Sequence, residues 1–235
     1  MKYEKLNESL NKNSDVTLAE NDAVSGINLS VPGWSGLMHY VFFRELLRAL
    51  IGDDEKRVSI LMLGVYRGRD LRYISCAYHE VELFNRHRIA AGLELIGVDK
   101  FNELPCDDWP VEKLGLSWER AGFGHSPTIA EARKNLDGTG AVLVQANDHH
   151  YMKMLEHAHP EGGAFDAIYL DTSHDYETVV RQIGQARKLL KTDGILCGDD
   201  FLERPEWGVI RAVNELCRPF SVFGTCWFAP AKNLE

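Results

Sequence analysis

The chain contains no apolar run approaching the ~18 residues that a membrane-spanning helix needs, which argues against a helical membrane protein. Its first residues, MKYEKLNESLNKNSDVTLAENDAV, are polar and lack the apolar stretch of a secretory signal, so a cytoplasmic location is the expectation. Five cysteines (Cys76, Cys106, Cys197, Cys217, Cys226) are scattered without a CxxC pair. An odd, unpatterned set argues against a disulfide framework or a zinc site and for reduced thiols. No cluster of lysines and arginines exceeds a pair, and the formal net charge is −9. Without a basic footprint to neutralise phosphates, nucleic acid is not the expected partner. Internal repeats and low-complexity segments are also missing.

What is present suits one folded α/β unit. With 235 residues, 45% of them hydrophobic, and only 8 prolines, the chain can bury a core of ordinary size. Residues 1–33 show little hydrophobic periodicity, end in the turn-like SVPGW, and are expected to be an N-terminal extension to a single domain over 34–235. The segment LMHYVFFRELLRAL (37–50) has helical spacing and is followed by Gly52 as a stop, so it predicts a helix packed on the edge of a sheet.

Short, almost continuously apolar runs follow at 58–65, 93–99, 141–146, 165–171 and 194–200. Continuous rather than alternating hydrophobicity marks strands covered on both faces, as in a parallel sheet. Candidate helices lie between them at 69–85, 128–136, 149–158 and 176–190. Five such alternations predict a Rossmann-like, doubly wound, mostly parallel sheet with helices on both faces. In such sheets ligands bind beyond the carboxyl ends of the strands. The connection 101–127 is long for this architecture and is a candidate lid. The closing FSVFGTCWFAP should add a last strand or two.

Three features carry chemistry. LGVYRGRD (63–70) joins the first strand to its helix, and Gly64 and Gly68 let the backbone turn sharply against a ligand, with the free amides of a helix N-terminus behind them. Asp99 ends the second strand in LIGVDKF, where a carboxylate can accept hydrogen bonds from ribose hydroxyls. A G-x-G-x-x-G fingerprint is absent, which disfavours a dinucleotide. The third feature is YLDTSHDY (169–176) with CGDD (197–200). If strands four and five are neighbours, Asp171, Asp199 and Asp200 converge, and three carboxylates repel one another unless a cation sits between them. A hard divalent ion such as Mg²⁺ suits oxygen ligands. His174, three residues after Asp171, stands where it can reach a hydroxyl held there.

In that order, GVYRG, the strand-two aspartate, LDTSHDY and LLKTDGILCGDD resemble class I methyltransferases that use S-adenosyl-L-methionine (SAM), over about residues 58–215. The pattern is most similar to catechol O-methyltransferase and the metal-dependent sugar O-methyltransferases of natural-product pathways. That resemblance implies Gly64, Tyr66 and Gly68 at the methionine end of SAM and Asp99 at its ribose. It implies either Asn147 or Asp148 at the adenine, Asp171, Asp199 and Asp200 as Mg²⁺ ligands, and His174 as general base. The chain departs from the family where Met62 replaces a customary acid and Asp70 a customary serine or threonine. The expected reaction is methyl transfer to a hydroxyl of a small molecule such as a catechol, vicinal diol or sugar. The alternatives are a metal-independent methyltransferase, an NAD-dependent oxidoreductase and a non-catalytic nucleoside- or sugar-binding module.

Smaller readings complete the set. His149 and His150 are adjacent and cannot share one helix face, so they are expected at the surface or along the cofactor rather than as a metal pair. Trp109, Trp118 and Trp207 are candidates for packing or for substrate walls. Self-association through the extension and the 37–50 helix stays open.

Overall fold

The structure is a computed structural model that describes residues 2–12, 31, 33, 35–51, 57–84, 92–101, 127–205 and 207–233. The lid expected at 101–127, Trp109, Trp118 and Cys106 therefore lie outside the described residues, apart from the ends of that loop.

Two strands at the centre, β1 (Val58–Leu63) and β4 (Phe165–Leu170), are buried at every position, as their unbroken apolar sequences require. Around them β2 (Leu93–Asp99), β3 (Val142–Gln145), β5 (Leu190–Gly198), β6 (Ser221–Phe223) and β7 (Cys226–Pro230) complete a sheet of order β3-β2-β1-β4-β5-β7-β6. The first five pair in parallel, while β7 runs antiparallel to β5 and to β6. The closing FSVFGTCWFAP thus forms a hairpin, with its second strand against β5. The chain winds outward from β1 to β3 and then returns to β4 and β5 on the other side. That reversal opens a crevice at the carboxyl ends of β1 and β4.

Alternate residues of β1 feed two separate cores. Ile60 and Met62 pack with α1 (Lys2–Lys12), α2 (Leu37–Leu50), α3 (Arg69–Phe84) and α4 (Ile129–Asn135). Leu61 and Leu63 pack with α5 (Asp148–Ala158), α6 (Tyr176–Leu189) and α7 (Val209–Leu216). The period-2 geometry of a strand makes this division unavoidable. In α6 the stripe Val179, Ile183, Ala186 and Leu189 is buried. The N-cap Asp175 accepts the Thr178 amide at 2.9 Å, satisfying one donor that the helix leaves open.

Within the 1–33 extension, α1 buries Leu6 and Leu10 in the first core. Spaced four apart on a short polar helix, these two leucines give too weak a pattern to stand out in the sequence. One expectation needs correction: α2 does not pack on a sheet edge. Phe43 lies 5.0 Å, centroid to centroid, from Tyr169 of the central strand β4, and Phe42 lies 5.9 Å from Phe228 of β7. Among the described residues no helix is long and apolar enough to cross a membrane.

Candidate functional site

The crevice begins at the turn after β1. Gly64, Tyr66 and Gly68 all have positive φ (87°, 51° and 90°). A side chain at Gly64 would put its Cβ 1.6 Å from the Asp171 carbonyl oxygen, so only glycine lets β1 and β4 end side by side. Asp99 organises the same turn from the tip of β2. Its Oδ2 accepts the amides of Val65 (2.7 Å) and Tyr66 (2.8 Å), and its Oδ1 accepts that of Phe101 (2.8 Å). Asn135 of α4 donates to the Arg67 carbonyl at 2.9 Å and ties the turn from outside.

At the end of β3, Asn147 caps α5 by accepting the His150 amide at 3.2 Å. Asp148, the first residue of that helix, accepts Gln182 Nε2 at 2.7 Å. The same nitrogen donates to Thr172 at 2.6 Å, so Gln182 links the β3 and β4 ends. His149 turns to α6, with Nδ1 2.9 Å from Gln185 Oε1. The four described cysteines are free: three are buried and Cys76 is half-buried.

Parallel pairing of β4 and β5 sets Leu170 beside Gly198 and so brings Asp171 next to Asp199 and Asp200. The acids divide into two groups. Asp171, His174 and Asp200 offer ligand atoms within 4.8 Å of one another. His174 Nε2 is 2.5 Å from Asp200 Oδ2, but outside hydrogen-bonding geometry, so this buried nitrogen has no hydrogen-bond partner. Trp207 stacks on the imidazole at 4.2 Å and 14°, and Arg204 lies 5.1 Å above the indole. Asp199 lines the same cleft as Asp171 and His174 but takes its hydrogen bonds from elsewhere. Its Oδ2 is 2.7 Å from His39 Nε2, and its Oδ1 accepts the Thr225 hydroxyl at 2.5 Å. This small cleft is lined by Asp171, Thr172, His174, Gln182 and Asp199.

Electrostatics follow from this crowding. Burial, then the neighbouring Asp199, Asp70, Asp200 and Asp99, push the Asp171 carboxyl well above its usual range. Burial also raises Asp70, whose Oδ1 has no hydrogen-bond partner. Burial opposes the charge on Asp199 too, but hydrogen bonds from His39 and Thr225 prevail and hold it below the usual value. The three non-glycine residues described with positive φ, Tyr66, Phe101 and Asp200, all follow the carboxyl ends of site strands. Strain of this kind gathers where the surrounding structure over-determines a functional geometry.

The candidates for cofactor, cation and base thus stand at one end of the sheet, on five different elements. Sequence reasoning missed His39 and Thr225, which reach Asp199 across 160 and 26 residues of chain. It also missed Gln182, which looked like one more polar residue on α6. No local motif marks any of the three.

Comparison with known proteins bears on the fold and the family. Several solved structures share the fold. The calicheamicin methyltransferase CalS11 aligns with 97% of this chain and 91% of its own, at 19% identity and a TM-score of 0.60. The O-methyltransferase NovP aligns over 83% and 80%, at 16% identity and 0.54. An O-methyltransferase from Bacillus cereus, in complex with SAH, aligns over 98% and 100%, at 15% identity and 0.52. No curated protein matches the sequence. Residues 61–201 match a family described as a methyltransferase domain, a span that runs from β1 through the acidic pair after β5, and the chain belongs to that family.

Proposed function

We propose that this methyltransferase transfers the methyl group of SAM to a hydroxyl of a small molecule bearing neighbouring oxygens, with a divalent cation at the acidic end of the crevice. The observation that carries the proposal is the convergence of Asp171, Asp200 and His174 within 4.8 Å, beside the glycine turn of β1. Two proteins of similar structure support a hydroxyl acceptor: NovP is an O-methyltransferase, and CalS11 is a TDP-rhamnose 3'-O-methyltransferase. A catechol, vicinal diol or sugar fits such a site because two adjacent oxygens can chelate one cation.

The donor set fits a hard ion such as Mg²⁺. Asp171, Asp199 and Asp200 offer only oxygen, and their mutual repulsion needs positive charge to relieve it. A cation there would lower the pKa of a bound hydroxyl. SAM supplies the methyl on a sulfonium, a charge that this acidic end also favours.

The chain's own residues do the rest. Gly64, Tyr66 and Gly68 leave room for the methionine end against the amides that open α3. Asp99 shapes that turn and would accept a ribose hydroxyl. Asp148 or Asn147 stands at the adenine end. With SAM bound, His174 Nε2 would take the acceptor's hydroxyl proton while SAM would supply the methyl, its sulfur keeping the electron pair of the carbon–sulfur bond. Trp207 holds the imidazole plane throughout. Aligning oxygen, carbon and sulfur in one line supplies much of the remaining acceleration.

One observation favours a second reading, a metal-independent methyltransferase. Both oxygens of Asp199 already have protein partners, and the acids would then orient substrate directly. Calorimetric titration with S-adenosylhomocysteine tests the cofactor, and one-site binding is expected. Screening hydroxylated acceptors with Mg²⁺ and with EDTA tests the cation. Turnover that survives EDTA unchanged selects the second reading, and absence of binding at millimolar ligand rejects both.

A further inference from the structure

The N-terminal helix α2 reaches the acidic end of the crevice through one side chain. His39 lies in its first turn, largely buried (side chain 12% exposed). The Gly36 amide donates to its Nδ1 at 3.1 Å. Nε2 points at Asp199 Oδ2 from 2.7 Å away. Thr225, in the turn between β6 and β7, donates to the other oxygen. Asp199 is thereby fixed by donors from two elements remote in sequence.

We infer that His39 and Thr225 are positioning residues that set the Asp199 carboxylate for a divalent cation shared with Asp171 and Asp200. The inference rests on the cation reading above. A carboxylate has about four lone-pair directions. Two donors occupy one on each oxygen and leave the others free, while fixing the plane of the group. Carboxylates that bind metals are commonly held in this way, and loss of such a partner costs about 10–100-fold in metal affinity. The arrangement gives α2 a part in the site although it precedes β1 and supplies nothing to the glycine turn. It also explains why a buried imidazole stands among aspartates without occupying the cleft itself.

The test is Mn²⁺ binding to the full-length protein, followed by the electron paramagnetic resonance signal of the free ion. His39→Leu should weaken binding about 10–100-fold. His39→Gln, whose amide can donate from nearly the same point, should restore most of it. Thr225→Val, nearly isosteric, should weaken binding in the same direction even if the leucine variant folds poorly. Melting temperatures without metal report folding separately. Equal or tighter Mn²⁺ binding by both His39→Leu and Thr225→Val would overturn the inference while leaving the cation site standing. Absence of Mn²⁺ binding by the wild-type protein would remove the cation site and this role together. His39, Asp199 and Cys226 also bring ligand atoms within 4.8 Å. A thiolate charge-transfer band on adding Co²⁺ would put the ion on Cys226 and overturn the inference as well.

Discussion

The carbonyl oxygen of Asp171 occupies the place where a side chain on Gly64 would have to go, 1.6 Å from an ideal Cβ. The cofactor turn and the acidic strand end are therefore built against each other. Gly64→Ala should lose well over about 1 kcal/mol, since alanine also resists the positive φ found there. Its binding of S-adenosylhomocysteine should fall with it. Gly184→Ala, inside α6, is the control: nothing lies within 4 Å of its Cβ, and the change should be neutral or stabilising by up to about 1 kcal/mol. Urea midpoints of the two variants check the contrast.

Trp207 stacks on His174 but belongs to the loop after β5. Trp207→Ala should free the imidazole and lower kcat, toward the ~100-fold that a 1 Å misplacement can cost. Trp207→Phe should keep most of the activity, because a phenyl ring can still stack. Affinity for S-adenosylhomocysteine should be the same in both. A drop in affinity with kcat intact would instead make Trp207 part of the cofactor wall.

At the opposite end of the sheet, Asp166 accepts Lys191 (2.7 Å), Lys2 (2.9 Å) and the Ser59 amide (3.0 Å). Burial opposes its charge, but these partners hold its pKa below the usual value. A lowered carboxyl pKa contributes stability above the unfolded-state value of about 3.9, and that contribution is lost as pH falls through the lower folded value. Asp166→Asn should cost about 1–3 kcal/mol near neutrality. The difference from wild type should hold from about pH 7 to pH 5 and shrink below about pH 4. Denaturation curves across that range measure it, and a gap that widens on acidification would refute the assignment.

Leu6, on α1, is fully buried. Leu6→Ala should destabilise the whole domain by about 2–5 kcal/mol in one cooperative transition. A separate early transition, with the main one unmoved, would show α1 to be an appendage. Thermal scans by circular dichroism distinguish the two.

Much of the fold can be read in the chain because the central strands declare themselves. VSILML and FDAIYL are apolar at every position but one, and strands buried on both faces need that. The long helices are equally plain: the 37–50 segment forms a helix over those residues, and α6 ends one residue short of its expected limit. The strands around the glycine turn, Asp99, Asp171 and the Asp199–Asp200 pair came from motifs whose residues lie close together in sequence. Their meeting at one end of the sheet follows from parallel pairing, a rule of topology rather than of local sequence.

What the sequence determined by itself was local or periodic: strand and helix spans, the glycine turn and the order of acidic residues. Only the tertiary structure decided how those acids are divided. Asp199 and Asp200 are neighbours in the chain, yet Asp199 turns to His39 and Thr225 while Asp200 meets His174. The left-handed backbone of Asp200, φ 58°, goes with that split. Such a division depends on donors brought from α2 and the β6–β7 turn. Their distance along the chain leaves no local pattern, because packing rather than periodicity brings them together.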